Sequence, residues 1–101
     1  MEMHTCVFRK TVTFKGEKLF FKRTFQMPRI PQIGETCSFE DNWFSGKIFN
    51  VHTDIIDKEA GVFLYYFDTE QNVIGDETNI DITEIKDVMK KSGWKLEENY
   101  L

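Results

Sequence analysis

Two basic side chains, Lys10 and Arg23, lie at positions where the surrounding sequence pattern is apolar. In Thr5–Phe14 most even positions are apolar, namely Cys6, Phe8, Val12 and Phe14. In Leu19–Met27 most odd positions are apolar, namely Leu19, Phe21, Phe25 and Met27. Lys10 and Arg23 share those parities, and period-two alternation is typical of a half-buried strand. Both cations are therefore expected on the core side of a sheet. A charge placed there is costly unless an anion compensates it.

This pair predicts a binding site for a small anionic ligand. A phosphate or carboxylate would lie between the two cations, and a planar, nucleotide-like group would stack on the neighbouring rings. The predicted ligand-binding residues are Lys10, Arg23, Phe8, Phe21 and Phe25. The sequence contains no catalytic motif and no short metal-ligand spacing, so we expect no enzyme, no metal and no cofactor.

Two other interpretations of the cation pair remain open. An acidic side chain such as Glu40 or Asp68 would reach in and neutralise it. Alternatively, the ends of both strands would project beyond the sheet and leave the cations in water.

The two strands are predicted to form a hairpin through Gly16-Glu17. A two-residue type II′ loop favours glycine at its first central position. In that register the numbers of paired residues sum to 33, which places Lys10 directly opposite Arg23.

The wider pattern predicts an α+β chain, mainly β, with a small, strongly bent antiparallel sheet or partly open barrel of five to six strands and one C-terminal helix. We expect one domain over residues 1–101. Its predicted parts are a β-hairpin over 5–27, a proline-containing connector over 28–35, further strands over 36–75, a helix over 81–92 and a short strand or tail over 95–101. Asp81 and Glu84 form a capping box, and Gly93 suits the end of the helix.

Composition excludes several classes of protein. The 101 residues carry a formal charge of −4, which disfavours binding to duplex nucleic acid. No apolar run approaches the roughly 18 residues of a membrane span, and the polar Met1–Thr5 is unlike a signal peptide. Two cysteines make no disulfide framework. We expect a cytoplasmic protein.

The segment Val62–Phe67 is apolar on both faces. Each of the two apolar faces of such a strand must pack against another element, and the one predicted helix can pack against only one of them. We expect another copy of the chain to pack against the second face, so we predict a homo-oligomer with Phe63, Tyr65 and Phe67 at the interface.

The predicted function is a non-enzymatic binding protein for a small anionic ligand. The alternative is a protein–protein inhibitor or adaptor, because residues 32–101 carry fifteen acids and six bases. A weaker candidate is a stacking surface for single-stranded nucleic acid, formed by Trp43, Phe44, Phe49, Tyr65 and Tyr66. The chain is rich in Lys, Ile, Asn and Phe and has an IPxIGE-type connector at Ile30–Glu35. In this it resembles accessory proteins of phages and AT-rich bacteria, with no diagnostic motif.

Overall fold

The computed structural model describes residues 3–38, 46–74 and 81–97. Within these ranges seven strands form one curled sheet, accompanied by one helix. The elements are β1 (His4–Phe14), β2 (Glu17–Met27), β3 (Thr36–Cys37), β4 (Gly46–Asp57), β5 (Val62–Thr69), β6 (Asn72–Ile74), α1 (Ile82–Lys91) and β7 (Lys95–Leu96). The predicted mainly-β α+β class is therefore confirmed.

The sheet is built from two long hairpins placed side by side. Its strand order is β3-β4-β5-β1-β2-β7, and β6 pairs separately with β1. The first hairpin (β1–β2) and the second hairpin (β4–β5) are each antiparallel, whereas β1 runs parallel to β5 and β6. The sheet is thus mixed at the junction of the hairpins, where a purely antiparallel arrangement was expected.

The predicted register of the first hairpin is wrong by two residues. The loop is Lys15-Gly16 rather than Gly16-Glu17, and both loop residues have positive φ, 48° and 82°. These values correspond to a type I′ turn. Paired residue numbers consequently sum to 31, so Lys10 lies opposite Phe21 and Arg23 lies opposite Phe8. A shift of two preserves parity, so Lys10 and Arg23 remain on the same face of the sheet.

That face of the sheet, the inner face, carries the core together with the helix. Phe8, Val12, Phe21 and Phe67 are buried on the strands, and Ile85, Met89 and Trp94 are buried in and just beyond α1. The apolar stripe of the helix supplies its part of this cluster, as amphipathic periodicity predicts.

The predicted N-cap at Asp81 and the predicted helix end at Gly93 are confirmed. The Asp81 side chain accepts a hydrogen bond from the Thr83 amide at 3.1 Å. At the other end Gly93 has φ +91°, its amide donates to the Lys90 carbonyl, and the Trp94 amide donates to the Met89 carbonyl. These two bonds form a Schellman motif. In the described residues no helix has the length and apolar character of a membrane span.

The connector between the hairpins folds back along the start of β4. The Gly34 amide donates to the Ile48 carbonyl, and the Ile48 amide donates to the Glu35 carbonyl, both at 2.9 Å. The chain then continues into β3, which pairs with Gly46 and Lys47. This contact brings the connector over the inner face near β2.

Candidate functional site

A cavity of about 380 Å³ lies between the inner face of β2, the connector and β3. Its apolar lining comes from Phe8, Phe25, Met27, Pro31 and Cys37. Ligand pockets of proteins typically measure about 300–1,000 Å³ and are mostly apolar, with few polar groups. The cavity thus has the size and lining of a site for a small molecule.

Arg23 supplies the positive charge of this cavity. Its Nη1 atom is buried and has no hydrogen-bond partner in the part of the chain that the structure describes. Its guanidinium carbon lies 4.4 Å from the centroid of the Phe25 ring, a cation–π distance that keeps the side chain over the aromatic wall. A buried guanidinium nitrogen without a partner retains an unused donor, which an anionic ligand could accept.

Gly93, just beyond the C-terminal end of α1, lies beside the Arg23 guanidinium. A Cβ built on Gly93 would be only 3.2 Å from Arg23 Nε, so the bare glycine backbone makes room for the arginine. The last turn of a helix carries a partial negative charge, which favours a cation beside it. This contact offsets part of the cost of placing Arg23 in a half-buried position.

A second arginine at the cavity is already neutralised. Arg29 donates two hydrogen bonds of 2.8 Å to the carboxylate of Glu35, in the bidentate geometry typical of this pair. The hydrogen bond from Arg29 holds the pKa of Glu35 below its usual value. Burial raises the pKa of the Cys37 thiol, so Cys37 remains a neutral wall residue near pH 7. Among the described lining residues, Arg23 therefore carries the uncompensated charge.

The five predicted ligand-binding residues are divided between two cavities. Phe8, Arg23 and Phe25 line the larger one, whereas Lys10 and Phe21 line a cavity of about 270 Å³. Lys10 is only 2% exposed, and its Nζ lies close to Gly46, where an added Cβ would come within 2.9 Å. The prediction that directly opposed Lys10 and Arg23 hold one anion between them followed from the wrong register.

The structure bears on parts of the two alternative interpretations of the cation pair. Asp68 lies on the outer face, opposite to the core, where its carboxylate accepts bonds of 2.6 and 2.9 Å from Arg9. Its carboxylate is therefore engaged by Arg9 on the face opposite to the one that carries Lys10 and Arg23. The burial of Lys10 contradicts projection of its side chain into water. Glu40 lies outside the described residues.

The three residues predicted at an oligomer interface have different environments. Phe67 is completely buried and stacks on Phe8 with ring centroids 5.0 Å apart. Tyr65 is half-buried, and Phe63 is 36% exposed. Phe67 is thus a core residue of its own chain. Of the other aromatic candidates, Trp43 and Phe44 lie outside the described residues.

Sequence reasoning missed the remaining walls of the cavity. Met27 shares the parity of Arg23 and Phe25, so the alternation could have identified it. Pro31 and Cys37 reach the cavity only because the connector folds back on β4, and no local pattern indicates that path.

The described residues hold no group of three or more His, Cys, Asp or Glu side chains arranged to bind a metal ion. The cavity lining likewise offers one unused cation and no arranged nucleophile and base. Comparison with known proteins finds no matching family, no matching curated protein and no matching solved structure.

Proposed function

We propose that this protein is a non-enzymatic binding protein that holds a small anionic, nucleotide-like ligand in the 380 Å³ cavity, with Arg23 meeting the anionic group. The observation that carries the proposal is the buried Nη1 atom of Arg23, which lacks a partner in the described residues and lines an otherwise mostly apolar cavity. A half-buried cation that lines a mostly apolar cavity is a position where the anionic group of a ligand would be favourable.

The chemistry of the walls supports a ligand with an acidic group and an apolar or aromatic body. A guanidinium offers a planar fork of donors that matches phosphate or carboxylate oxygens. Phe25 and Met27 provide apolar surface next to that fork. The Arg29–Glu35 pair adds polarity without adding net charge.

Binding of defined probes tests the proposal. Adenosine and uridine 5′-monophosphates are titrated into the full chain by calorimetry, alongside the corresponding nucleosides, which lack the phosphate. We expect heat and a raised melting temperature with the monophosphates and neither with the nucleosides. Hydrogen bonds to charged groups contribute about 1.5–3 kcal/mol, so Arg23→Gln should weaken binding by about tenfold to 150-fold.

Lys22→Gln is the matched control. Lys22 is adjacent to Arg23 on the same strand but faces the opposite side of the sheet, and it makes a salt bridge of 3.4 Å with Glu97. Lys22→Gln changes the net charge by the same amount as Arg23→Gln. It should leave the affinity for the monophosphates within about twofold of the wild-type value, since exposed ion pairs contribute little free energy.

The free protein gives a second readout. Replacing a half-buried cation by a neutral residue often stabilises a fold, so Arg23→Gln should raise the melting temperature of the free protein while removing its response to ligand. A variant that is destabilised without ligand, and that binds as the wild type does, would identify Arg23 as a structural residue of the helix end. Failure of every anionic probe would favour the protein adaptor instead.

A further inference from the structure

Over most of its length, the outer edge of β4 pairs with no strand in the described part of the chain. Its start is covered by β3 and the connector as far as Ile48. From Phe49 to Asp57, β5 pairs with one edge of the strand, and no described residue forms a ladder with the other. An unpaired edge presents a row of backbone donors and acceptors, which is a template for another strand.

Between its two β-bulges this edge lacks the lysine and proline that often prevent pairing. Natural edge strands are protected by lysine, by proline or by being short. The nine residues from 49 to 57 (FNVHTDIID) include no lysine, arginine, proline or glycine. The register with β5 is regular from Asn50 to Ile55, between bulges at Ile48/Asn50 and Ile55/Asp57, so a partner strand would pair with this regular stretch.

The side chains of this edge are complementary to themselves. Val51, Thr53 and Ile55 lie on one face, and His52 and Asp54 lie on the other, as their pairing with β5 requires. If two copies pair antiparallel about a two-fold axis through Thr53, Val51 meets Ile55 of the other copy and His52 meets Asp54 of the other copy. Each contact occurs twice because the interface is symmetric.

Neighbouring registers are less favourable. The inner faces of the two copies lie on the same side only when the numbers of paired residues add up to an even number. A shift of one residue would exchange the two faces of a strand. An axis through His52 would place His52 against its own copy. An axis through Asp54 would oppose two carboxylates, which destabilises a cross-strand pair. The register through Thr53 therefore matches both apolar and charged positions.

We infer that this chain forms a two-fold dimer by antiparallel pairing of the β4 edges, with Thr53 on the axis and His52 opposite Asp54 of the second copy. The pairing continues the sheet of one copy into the sheet of the other. His52 stacks on Tyr66 of its own chain at 4.9 Å, which holds the imidazole on the face where Asp54 of the second copy would lie. Exposed Ile55, at 59%, gains Val51 of the second copy as a neighbour.

Sedimentation equilibrium over a range of concentrations, without ligand, measures the dimer independently of the binding cavity. We expect a reversible monomer–dimer equilibrium. His52→Asp places two carboxylate pairs across the axis and should raise the dissociation constant by about twofold to thirtyfold. The double variant His52→Asp, Asp54→His exchanges the partners and should restore the wild-type value.

Cysteine cross-linking tests the register. Opposed Cα atoms in an antiparallel pair lie about 4.5–5.5 Å apart, so Thr53→Cys should form an intermolecular disulfide. His52→Cys is the control, because its own copy would lie two positions out of register at about 8 Å, beyond disulfide reach. Peptide mapping separates this bridge from any at Cys6 or Cys37. A monomer at all concentrations, a double variant that does not recover, or equal cross-linking at both positions would overturn the inference.

Discussion

The first hairpin and the second hairpin have strands of similar apolar character but very different burial. On β1, the even positions Cys6–Phe14 are buried, and even Lys10 is enclosed. On β4, Gly46 and Ile48 alone are buried, and every residue from 53 to 63 is exposed. The second hairpin is therefore a core element at one end and a solvated element at the other.

Position in the sheet explains this difference. β1 has β2 on one side and β5 and β6 on the other, and its inner face shares a core cluster with α1. β4 lies toward the edge, and among the described strands its distal half pairs with β5 on one side only. Apolar side chains such as Ile55 and Ile56 are thus left exposed at 59% each. Apolar sequence indicates what can be buried, whereas topology decides what is buried.

The difference in burial along the second hairpin predicts the largest difference in stability between two substitutions in the same strand, β5. Phe67 and Phe63 lie on the same face of β5, but Phe67 is completely buried. We expect Phe67→Ala to lower the free energy of unfolding by about 3–5 kcal/mol, because it removes a packed ring and leaves a cavity. Phe63→Ala should cost less than about 1 kcal/mol. Urea denaturation at one fixed protein concentration measures both.

Comparable losses for the two variants would contradict the division of the second hairpin. They would mean that the distal half is covered in solution. Repeating the measurement at lower protein concentration then shows whether a second copy supplies that cover, since stability from association depends on concentration.

Substitution of two glycines at opposite ends of the second hairpin should lower the free energy of unfolding by an intermediate amount. A Cβ on Gly46 would lie 3.2 Å from Thr69 Cβ and 3.3 Å from the Glu70 carbonyl oxygen. Gly61 has open space around it but a φ of +69°. We expect Gly46→Ala to cost about 1–3 kcal/mol through crowding and Gly61→Ala about 1 kcal/mol through backbone strain, both measured by urea denaturation.

Asparagine separates these two causes, because it tolerates the left-handed region better than alanine. Gly61→Asn should recover part of the loss of Gly61→Ala. Gly46→Asn, with a larger side chain in the crowded position, should be less stable than Gly46→Ala. Recovery by asparagine at Gly46 would show that the closeness of Lys10 and Thr69 is not the limiting feature there.

The sequence predicts the faces of the first hairpin but not its register. Alternation places Lys10 and Arg23 on the core side whichever two-residue loop is chosen, because registers that differ by two keep the same parity. The loop itself depends on Lys15, whose positive φ is uncommon for a lysine, so the sequence favours Gly16 at the first loop position. Helix ends are predictable because the capping signals of Asp81 and Gly93 are local.

Most of the candidate cavity depends on contacts between distant parts of the chain. Pro31 and Cys37 line the same cavity as Arg23 because the connector pairs with β4. The parallel pairing of β1 with β5 joins residues about sixty positions apart, such as Arg9 and Asp68. No period or turn signal encodes such contacts, because their selection depends on the packing of the complete fold.

The smallest change in stability is expected for a substitution in the type I′ turn. A residue better suited to this turn should stabilise the first hairpin. Lys15 adopts φ 48° at the first loop position, where asparagine is strongly preferred before glycine. We expect Lys15→Asn to raise the free energy of unfolding by about 0.5–1 kcal/mol, measured by urea denaturation. The gain is small because the buried face of β1 already holds the hairpin in place.

Lys15→Ala is the matched control for that variant. Both substitutions remove the contact between Lys15 Nζ and the Phe14 ring, whose centroid is 5.1 Å away, but only asparagine suits the positive φ. Asparagine should therefore be the more stable of the two. If alanine is equally stable, the strain at Lys15 contributes nothing measurable, and the register is held by the pairing of Val12 and Lys10 with β2 rather than by the turn. The first hairpin would then differ from the second in its core contacts alone.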